Sequence, residues 1–145
     1  MNKTFIPSSS TMAQKWYLID ATNQTLGRLS TKVAQILQGK TKINFYSSFD
    51  INIYIIIINI ESIYISGNKE KQKMYYRHSG RPGGLKTENF KSLKSRLPEK
   101  ILEKSIKGML PKNSLGRKMF THLKLFKGMN YLQIAQKPEK INIYD

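Results

Sequence analysis

The sequence predicts an α/β fold, and two observations carry this prediction. The segment Lys15–Asp20 is aromatic and aliphatic, as strands are, and a segment with helical spacing follows it. The apolar run Tyr54–Ile58 comes next and shows no polar alternation, which is typical of a parallel strand buried on both faces. Strand, helix and strand in this order predict a βαβ unit.

The helix of this unit is predicted from its spacing and its ends. Thr25 is a suitable N-cap residue, and Gly39 is a suitable residue to end the helix. Apolar residues recur between them at spacings of three and four and therefore share one face; they are Leu26, Leu29, Val33, Ile36 and Leu37. Residues 1–14 are polar and predict an N-terminal arm.

The second half predicts short elements joined by basic loops. Residues 80–84 are too rich in glycine and proline for regular structure. One helix is predicted around Phe90, Leu93 and Leu97 and ends at Pro98, and a second covers 101–109. The last elements are predicted to be a short helix capped by Ser114, a strand over 123–126 and an irregular tail over 133–145; residues 1–145 are predicted to form a single domain.

The charge of the chain predicts a polyanionic partner. The formal net charge is +16, and residues 66–145 hold 19 basic and 6 acidic residues. Nucleic acid is the commonest partner for such a field. An anionic membrane is the rival interpretation, but it would favour a long basic amphipathic helix, which the sequence lacks. The remaining alternative is a solvated lysine-rich surface, which usually mixes both signs more evenly.

The residue types needed for catalysis or metal binding do not form a recognisable pattern. The chain has no cysteine, and its two histidines, His78 and His122, lie in separate segments. The acidic residues are scattered, and Asp20, which is the best candidate acid, is more often a turn or capping group. An RNA-modifying enzyme would need a pocket with convergent polar groups, and a DNA-binding module would favour a recognition helix or a zinc finger. The sequence therefore predicts neither an enzyme nor a metal site.

Residues 75–84 form the densest local signal for nucleic acid. Arg77 and Arg81 can make bidentate contacts with phosphate, and the glycines allow close approach of an RNA backbone. Tyr75 and Tyr76 can stack on bases, although one of them can equally be a core anchor. A glycine-rich loop can also hold a mononucleotide, but no Gly-Lys-Ser/Thr run supports that alternative.

Two further segments are basic but less specific. In residues 107–118 a helix that starts near Ser114 would direct free backbone amides toward a phosphate. An interhelix turn with solvated lysines is an equally good interpretation of that segment. The lysine-rich loop over 66–73 is likewise divided between RNA contact and a solvated charge run.

Several longer segments match one known family in their residues and in their order along the chain. They are Lys15-Trp16-Tyr17 with Asp20-Ala21, Thr25 through Ser30, Gly39-Lys40, Ser66 through Lys69, Tyr76 through Gly80 with Pro82-Gly83-Gly84, Lys107 through Pro111, Leu115-Gly116-Arg117 and Ala135 through Pro138. Together they resemble the bacterial-type ribosomal protein L13 family of the large ribosomal subunit, and the resemblance covers roughly residues 3–140.

The resemblance implies a three-layer α/β fold, with a small, mostly parallel sheet of about four strands flanked by helices, basic loops and extended termini. It implies a structural role in translation: binding of large-subunit rRNA, contact with neighbouring large-subunit proteins and support of early subunit assembly. It implies no catalysis and no cofactor. DNA, a membrane and a small-molecule substrate are not predicted as partners. The residues predicted to bind rRNA are Arg28, Lys40, Lys42, Lys69, Lys71, Lys73, Arg77, His78, Ser79, Arg81, Lys86, Lys107, Lys112, Asn113, Arg117, Lys118 and Lys124.

The wording of some segments is most similar to cyanobacterial and plastid members, as in His78-Ser79-Gly80-Arg81-Pro82. Ile, Asn and Lys, whose codons are rich in A and T, are heavily used. The predicted location is therefore a ribosome in a plastid (chloroplast), with the bacterial cytoplasm or another organelle as the alternative. The chain departs from the family at Asn52-Ile53, where a Gly-Asp is usual, and at 129–132.

Overall fold

The computed structural model describes residues 14–43 and 45–143, so the predicted arm over 1–14 lies almost wholly outside the described residues. The helices and strands follow in the order β1 (Lys15–Asp20), α1 (Leu26–Leu37), β2 (Ile53–Ile58), α2 (Lys69–Gln72), β3 (Met74–His78), β4 (Leu85–Asn89), α3 (Phe90–Arg96), α4 (Pro98–Met109), α5 (Ser114–Thr121), β5 (Leu123–Leu125) and β6 (Glu139–Lys140). Short 3₁₀ turns occupy Ile60–Ser62 and Ile134–Gln136.

Four strands form the main sheet, in the order β5-β2-β1-β6, and all its pairings are parallel. The central pair is in register from Lys15 opposite Ile53 to Asp20 opposite Ile58. The predicted α/β class, the βαβ unit and the sheet of about four strands flanked by helices are therefore confirmed. The strand predicted over 123–126 is present as β5.

The two faces of the sheet carry cores of different size. Tyr17 and Ile19 of β1 and the odd-numbered isoleucines of β2 belong to the large core, which α1, α3 and α4 complete. Leu18, Ile56 and Ile58 point to the other face, where Trp16, Phe126 and Tyr131 pack against them. Both faces of β2 are thus buried, which explains why its sequence shows no polar alternation.

The turns around this unit depend on residues that tolerate a positive φ. Gly39 ends α1 at φ +73°, and a Cβ there would collide with the side chain of Ile51. Asn52 adopts φ +53° just before β2, at the place where the family usually has Gly-Asp. Asparagine is among the few non-glycine residues that adopt this conformation readily, so Asn52 suits the turn that leads into β2.

Two local predictions need correction, and one pair of strands was missed. The tail over 133–145 is not wholly irregular, because β6 pairs with β1 at Tyr17–Glu139 and Leu18–Lys140. The cap of α5 is Asn113 rather than Ser114, since its Oδ1 accepts a hydrogen bond from the Gly116 N–H at 2.7 Å. The basic segment on either side of residues 79–84 is an antiparallel hairpin formed by β3 and β4, which was not predicted.

Candidate nucleic-acid interface

The β3–β4 hairpin projects from the core and carries like charges opposite each other. Arg77 and Lys86 are direct cross-strand partners, and both are exposed. Like charges directly opposite in an antiparallel pair are destabilising. In the described residues neither forms a salt bridge, so the protein supplies no carboxylate to offset their repulsion. A polyanion would supply that charge.

The loop at the tip of the hairpin is held by its own hydrogen bonds. The Gly80 N–H donates to His78 Nδ1 at 2.9 Å, and the Gly84 N–H donates to the Arg81 carbonyl at 2.9 Å. A Cβ at Gly84 would collide with Ser79 Oγ, so this glycine is required by close packing. The loop therefore presents the exposed Ser79 and Arg81 from a fixed backbone, while Nδ1 of His78 is engaged within the loop.

The two tyrosines of β3 have different environments, which resolves the choice left open by the sequence. Tyr75 is half-buried, and its ring stacks on Phe90 with centroids 6.5 Å apart. Burial raises the pKa of its hydroxyl. Tyr75 is thus the core anchor, whereas Tyr76 is 64% exposed and free to stack on a base.

A second basic surface surrounds the start of α1. Arg28, Lys69 and Lys73 line one open cleft, together with Ser66 and Ser105. Lys71 is exposed on α2 beside it. Lys69 and Lys73 are therefore brought together around one concave surface with Arg28, which lies far from them in the sequence.

A third basic surface lies between the end of α4 and the start of α5. Lys107, Lys112 and Arg117 line one cavity of about 440 Å³. Its remaining lining is largely apolar and includes Phe120, whose ring centroid lies 5.7 Å from Lys107 Nζ. Asn113, which was predicted to bind rRNA, caps α5 with its side-chain oxygen Oδ1.

Some predicted RNA-binding residues are instead engaged within the protein. Lys42 Nζ lies 3.0 Å from the Tyr17 hydroxyl and above the Tyr17 ring. Lys118 pairs with the buried carboxylate of Asp50. Lys124 is half-buried on the edge strand β5, whereas Lys40 is exposed just beyond α1. These contacts reduce the number of cations that are free for a ligand.

Sequence reasoning did not identify two other exposed cations at these surfaces. Lys104 Nζ lies 4.9 Å from the Tyr75 ring centroid, where Lys73 also lies. Lys32 lines a cleft next to Arg28, one helical turn away. Helical spacing could have revealed both, because Arg28 and Lys32 are four residues apart and Lys100, Lys104 and Lys107 recur on one face of α4.

The acidic and histidine side chains have local structural roles. Asp20 Oδ1 accepts hydrogen bonds from the backbone N–H and hydroxyl of Thr22 and from Asn59 Nδ2, so Asp20 is a turn group. Within residues 14–43 and 45–143 no group of three His, Asp or Glu side chains has the arrangement of a metal site. None of the helices described is both long and apolar enough to cross a membrane.

Comparison with known proteins shows the family of this chain. Residues 14–131 match the family model described as ribosomal protein L13. The chain is 52% identical over 143 residues to the large ribosomal subunit protein uL13 of Cyanothece sp., covering 99% of this chain and 96% of the relative. It is 52% identical to the protein of the same name from Prochlorococcus marinus, with 99% and 95% covered. For the uL13 of Rippkaea orientalis the identity is 54% over 97% of this chain and 93% of the relative. The chain therefore belongs to the bacterial-type ribosomal protein L13 family.

Proposed function

We propose that this ribosomal protein binds large-subunit rRNA through the hairpin, the cleft at the start of α1 and the cavity between α4 and α5. The observation that carries the proposal is the exposed pair Arg77 and Lys86, which face each other without a carboxylate partner in the described residues. Such a pair is unfavourable in the free protein and becomes favourable beside phosphate. Membership of the ribosomal protein L13 family also supports rRNA as the partner.

Binding is proposed to depend on the shape and charge of the rRNA. The cations of the three surfaces sit at separate places on one core, so they can contact phosphates of RNA segments that meet there. Each contact is modest and salt-sensitive, and many together give tight binding. The strands β3 and β4 pair only with each other and are largely exposed, so we expect RNA to order them further. The role is structural: the protein fixes the relative position of the RNA segments.

We further propose that the chain joins the subunit early in assembly. The three basic surfaces are made by this chain alone, so RNA binding needs no prior protein partner. Contacts with neighbouring large-subunit proteins would follow, and the exposed apolar side chains of Met129, Leu132 and Ile134 offer a surface for them.

We also propose that residues 1–145 act as one domain. The ribosome concerned is proposed to be that of a plastid, with which the cyanobacterial relatives are compatible.

The first experiment is sedimentation of an organelle extract on sucrose gradients at low and high salt, with immunodetection of this chain. The expected result is comigration with the large subunit through a moderate salt wash. A chain that stays at the top of the gradient would contradict the proposed role. The same blot on purified plastids and on a cytosolic fraction tests the proposed compartment.

Direct binding to rRNA is tested with the purified full chain and a transcript of large-subunit rRNA. The logarithm of the affinity should fall linearly with the logarithm of the salt concentration. The double variant Arg77→Gln/Lys86→Gln should have a shallower slope, by roughly 0.7–0.9 for each phosphate that the variant no longer neutralises. Lys91→Gln/Lys127→Gln, which removes two exposed cations outside the three surfaces, is the matched control. Equal slopes for the double variant and the wild type would count against the hairpin.

A further inference from the structure

The cavity between α4 and α5 combines an apolar wall with a cationic rim. Leu110, Pro111 and Phe120 form the apolar part. Lys107, Lys112 and Arg117 supply three positive charges, and no acidic residue in the described part of the chain lines the cavity. Its volume of about 440 Å³ falls in the range of pockets that hold small organic groups.

The wall of this cavity is fixed by tight packing and therefore exists before any ligand arrives. A Cβ at Gly116 would collide with the Pro111 carbonyl, so α5 packs directly against the turn that follows α4. The Gly116 N–H also donates to Asn113 Oδ1 at 2.7 Å, which holds the first turn of α5 in place. Pre-formed pockets bind without the cost of ordering a loop.

The lining indicates the chemistry of the occupant. An apolar side chain from a neighbouring protein would pack against the apolar wall, but it would leave the three cations of the cavity without counter-charge. A nucleotide satisfies both parts, because its base is flat and apolar on its faces while its phosphates are anionic. Bases that are unstacked from single-stranded RNA are commonly held against aromatic side chains. Phe120 is half-buried and offers such a ring at the cavity.

We propose that this cavity receives one unstacked base of the large-subunit rRNA, which packs against Phe120 while Lys107, Lys112 and Arg117 contact the flanking phosphates. The proposal rests on rRNA binding by the chain and adds base insertion to it. Base insertion would distinguish this third surface from the hairpin, which is proposed to contact phosphates. It also predicts that part of the affinity at this surface is independent of salt, because stacking involves no counterion release.

The test compares two matched Phe→Leu variants of the full chain in rRNA binding over a range of salt concentrations. Phe120→Leu keeps apolar volume in the cavity and removes the ring. We expect it to lower the affinity at least about fivefold, the smaller end of the cost of losing one stacked base, with an unchanged salt slope. Phe126→Leu removes a half-buried ring from the opposite face of the sheet and should bind like the wild type. Circular dichroism verifies that both variants are folded.

A second measurement needs no substitution. Ultraviolet crosslinking of the wild-type chain on rRNA, followed by mass spectrometry, should place a nucleotide on residues 107–120. If the wild type binds rRNA, yet Phe120→Leu binds equally well and no nucleotide is crosslinked there, base insertion is wrong and rRNA binding stands. If crosslinking of the intact subunit attaches a neighbouring protein at this cavity, the occupant is that protein and base insertion is wrong. If the wild type does not bind rRNA, both proposals fail.

Discussion

Lys118 Nζ lies 3.2 Å from Asp50 Oδ2, so a cation predicted to bind RNA is paired with a carboxylate of its own protein. The Asp50 side chain is only 6% exposed, whereas that of Lys118 is 61% exposed. The pair joins the loop before β2 to α5. It therefore contributes to the position of the third basic surface without being part of that cavity's lining.

Replacing Lys118 should destabilise the protein more than replacing an unpaired lysine. Lys118→Gln leaves a buried carboxylate without its cation, and we expect a loss of about 1–2 kcal/mol in the free energy of unfolding, since the lysine itself is largely in water. Urea unfolding measures the difference. Lys112→Gln, at an exposed lysine with no carboxylate partner in the described residues, should change stability by less than about 0.5 kcal/mol. Equal effects of the two substitutions would contradict this role for the pair.

Stability should fall when the solution is made mildly acidic. His122 is buried and stacks on Tyr54 with centroids 4.3 Å apart. Its Nε2 lies 3.7 Å from Asp50 Oδ2. Burial lowers the pKa of His122 below its ordinary value of 6.5; Asp50 opposes this shift, and Lys118 and Lys124 reinforce it. The unfolded chain therefore binds a proton at His122 more readily than the folded protein does. The free energy of unfolding is fully retained above pH 6.5 and decreases as the pH falls below that value.

The measurement is urea unfolding of the wild type and of His122→Gln between about pH 7.5 and pH 5.5. The wild type should lose at most about 1.4 kcal/mol per pH unit through this one group. His122→Gln should show a smaller loss over the same interval, even if it is less stable throughout. Parallel curves for the two proteins would show that His122 does not cause the pH dependence.

Two glycines should respond to alanine with opposite signs. At Gly116 a new Cβ meets the Pro111 carbonyl, and overpacking of this kind costs about 1–3 kcal/mol. At Gly108, within α4, no atom of the described residues lies within 4 Å of the added Cβ, so alanine should stabilise the helix by about 0.5 kcal/mol. Thermal unfolding of Gly116→Ala and Gly108→Ala checks both expectations. A stabilised Gly116→Ala would mean that α5 can move away from the turn before it.

Gly84 links the conformation of the hairpin loop to RNA binding. A Cβ at Gly84 would meet Ser79 Oγ and would approach the Arg81 carbonyl to 2.9 Å, so Gly84→Ala should reshape the loop. Because the loop lies outside the core, we expect little change in the thermal midpoint but weaker binding to rRNA. Gly67→Ala is unsuitable as a control because its φ is positive, whereas Gly128→Ala, outside the three basic surfaces, has no such constraint and open space around its Cβ among the described residues. Normal rRNA affinity for Gly84→Ala would show that the loop tolerates the change.

The parts of the fold that were predicted correctly are those encoded by local sequence patterns. The spacing of Leu26, Leu29 and Val33 and the unbroken apolar run of β2 predicted α1, β2 and the parallel pairing of β1 with β2. Family membership also confirms that the chain is a ribosomal protein and not an enzyme. These conclusions need only the order of residue types along the chain.

The features that were missed depend on contacts between distant segments or on the absence of a core. The β3–β4 hairpin is almost wholly exposed, so its strands lack the alternation of apolar and polar residues that identifies a half-buried strand. β6 is two residues long and exists only because it meets β1. The pairing of Lys118 with Asp50 likewise joins segments far apart in the sequence. Charge alone did not distinguish such a cation from one available to RNA.

The order of strands in the sheet determines when a newly made chain can protect its most apolar segment. β2 pairs on one side with β1, which is synthesised before it, and on the other with β5, which follows about 65 residues later. At roughly 5–20 residues per second, several seconds of translation separate them. During that interval the edge of Ile53–Ile58 is open, and an uncharged, isoleucine-rich strand with an open edge is prone to pair with other chains. Closure of the sheet by β5 is thus the step of synthesis that removes this risk of aggregation.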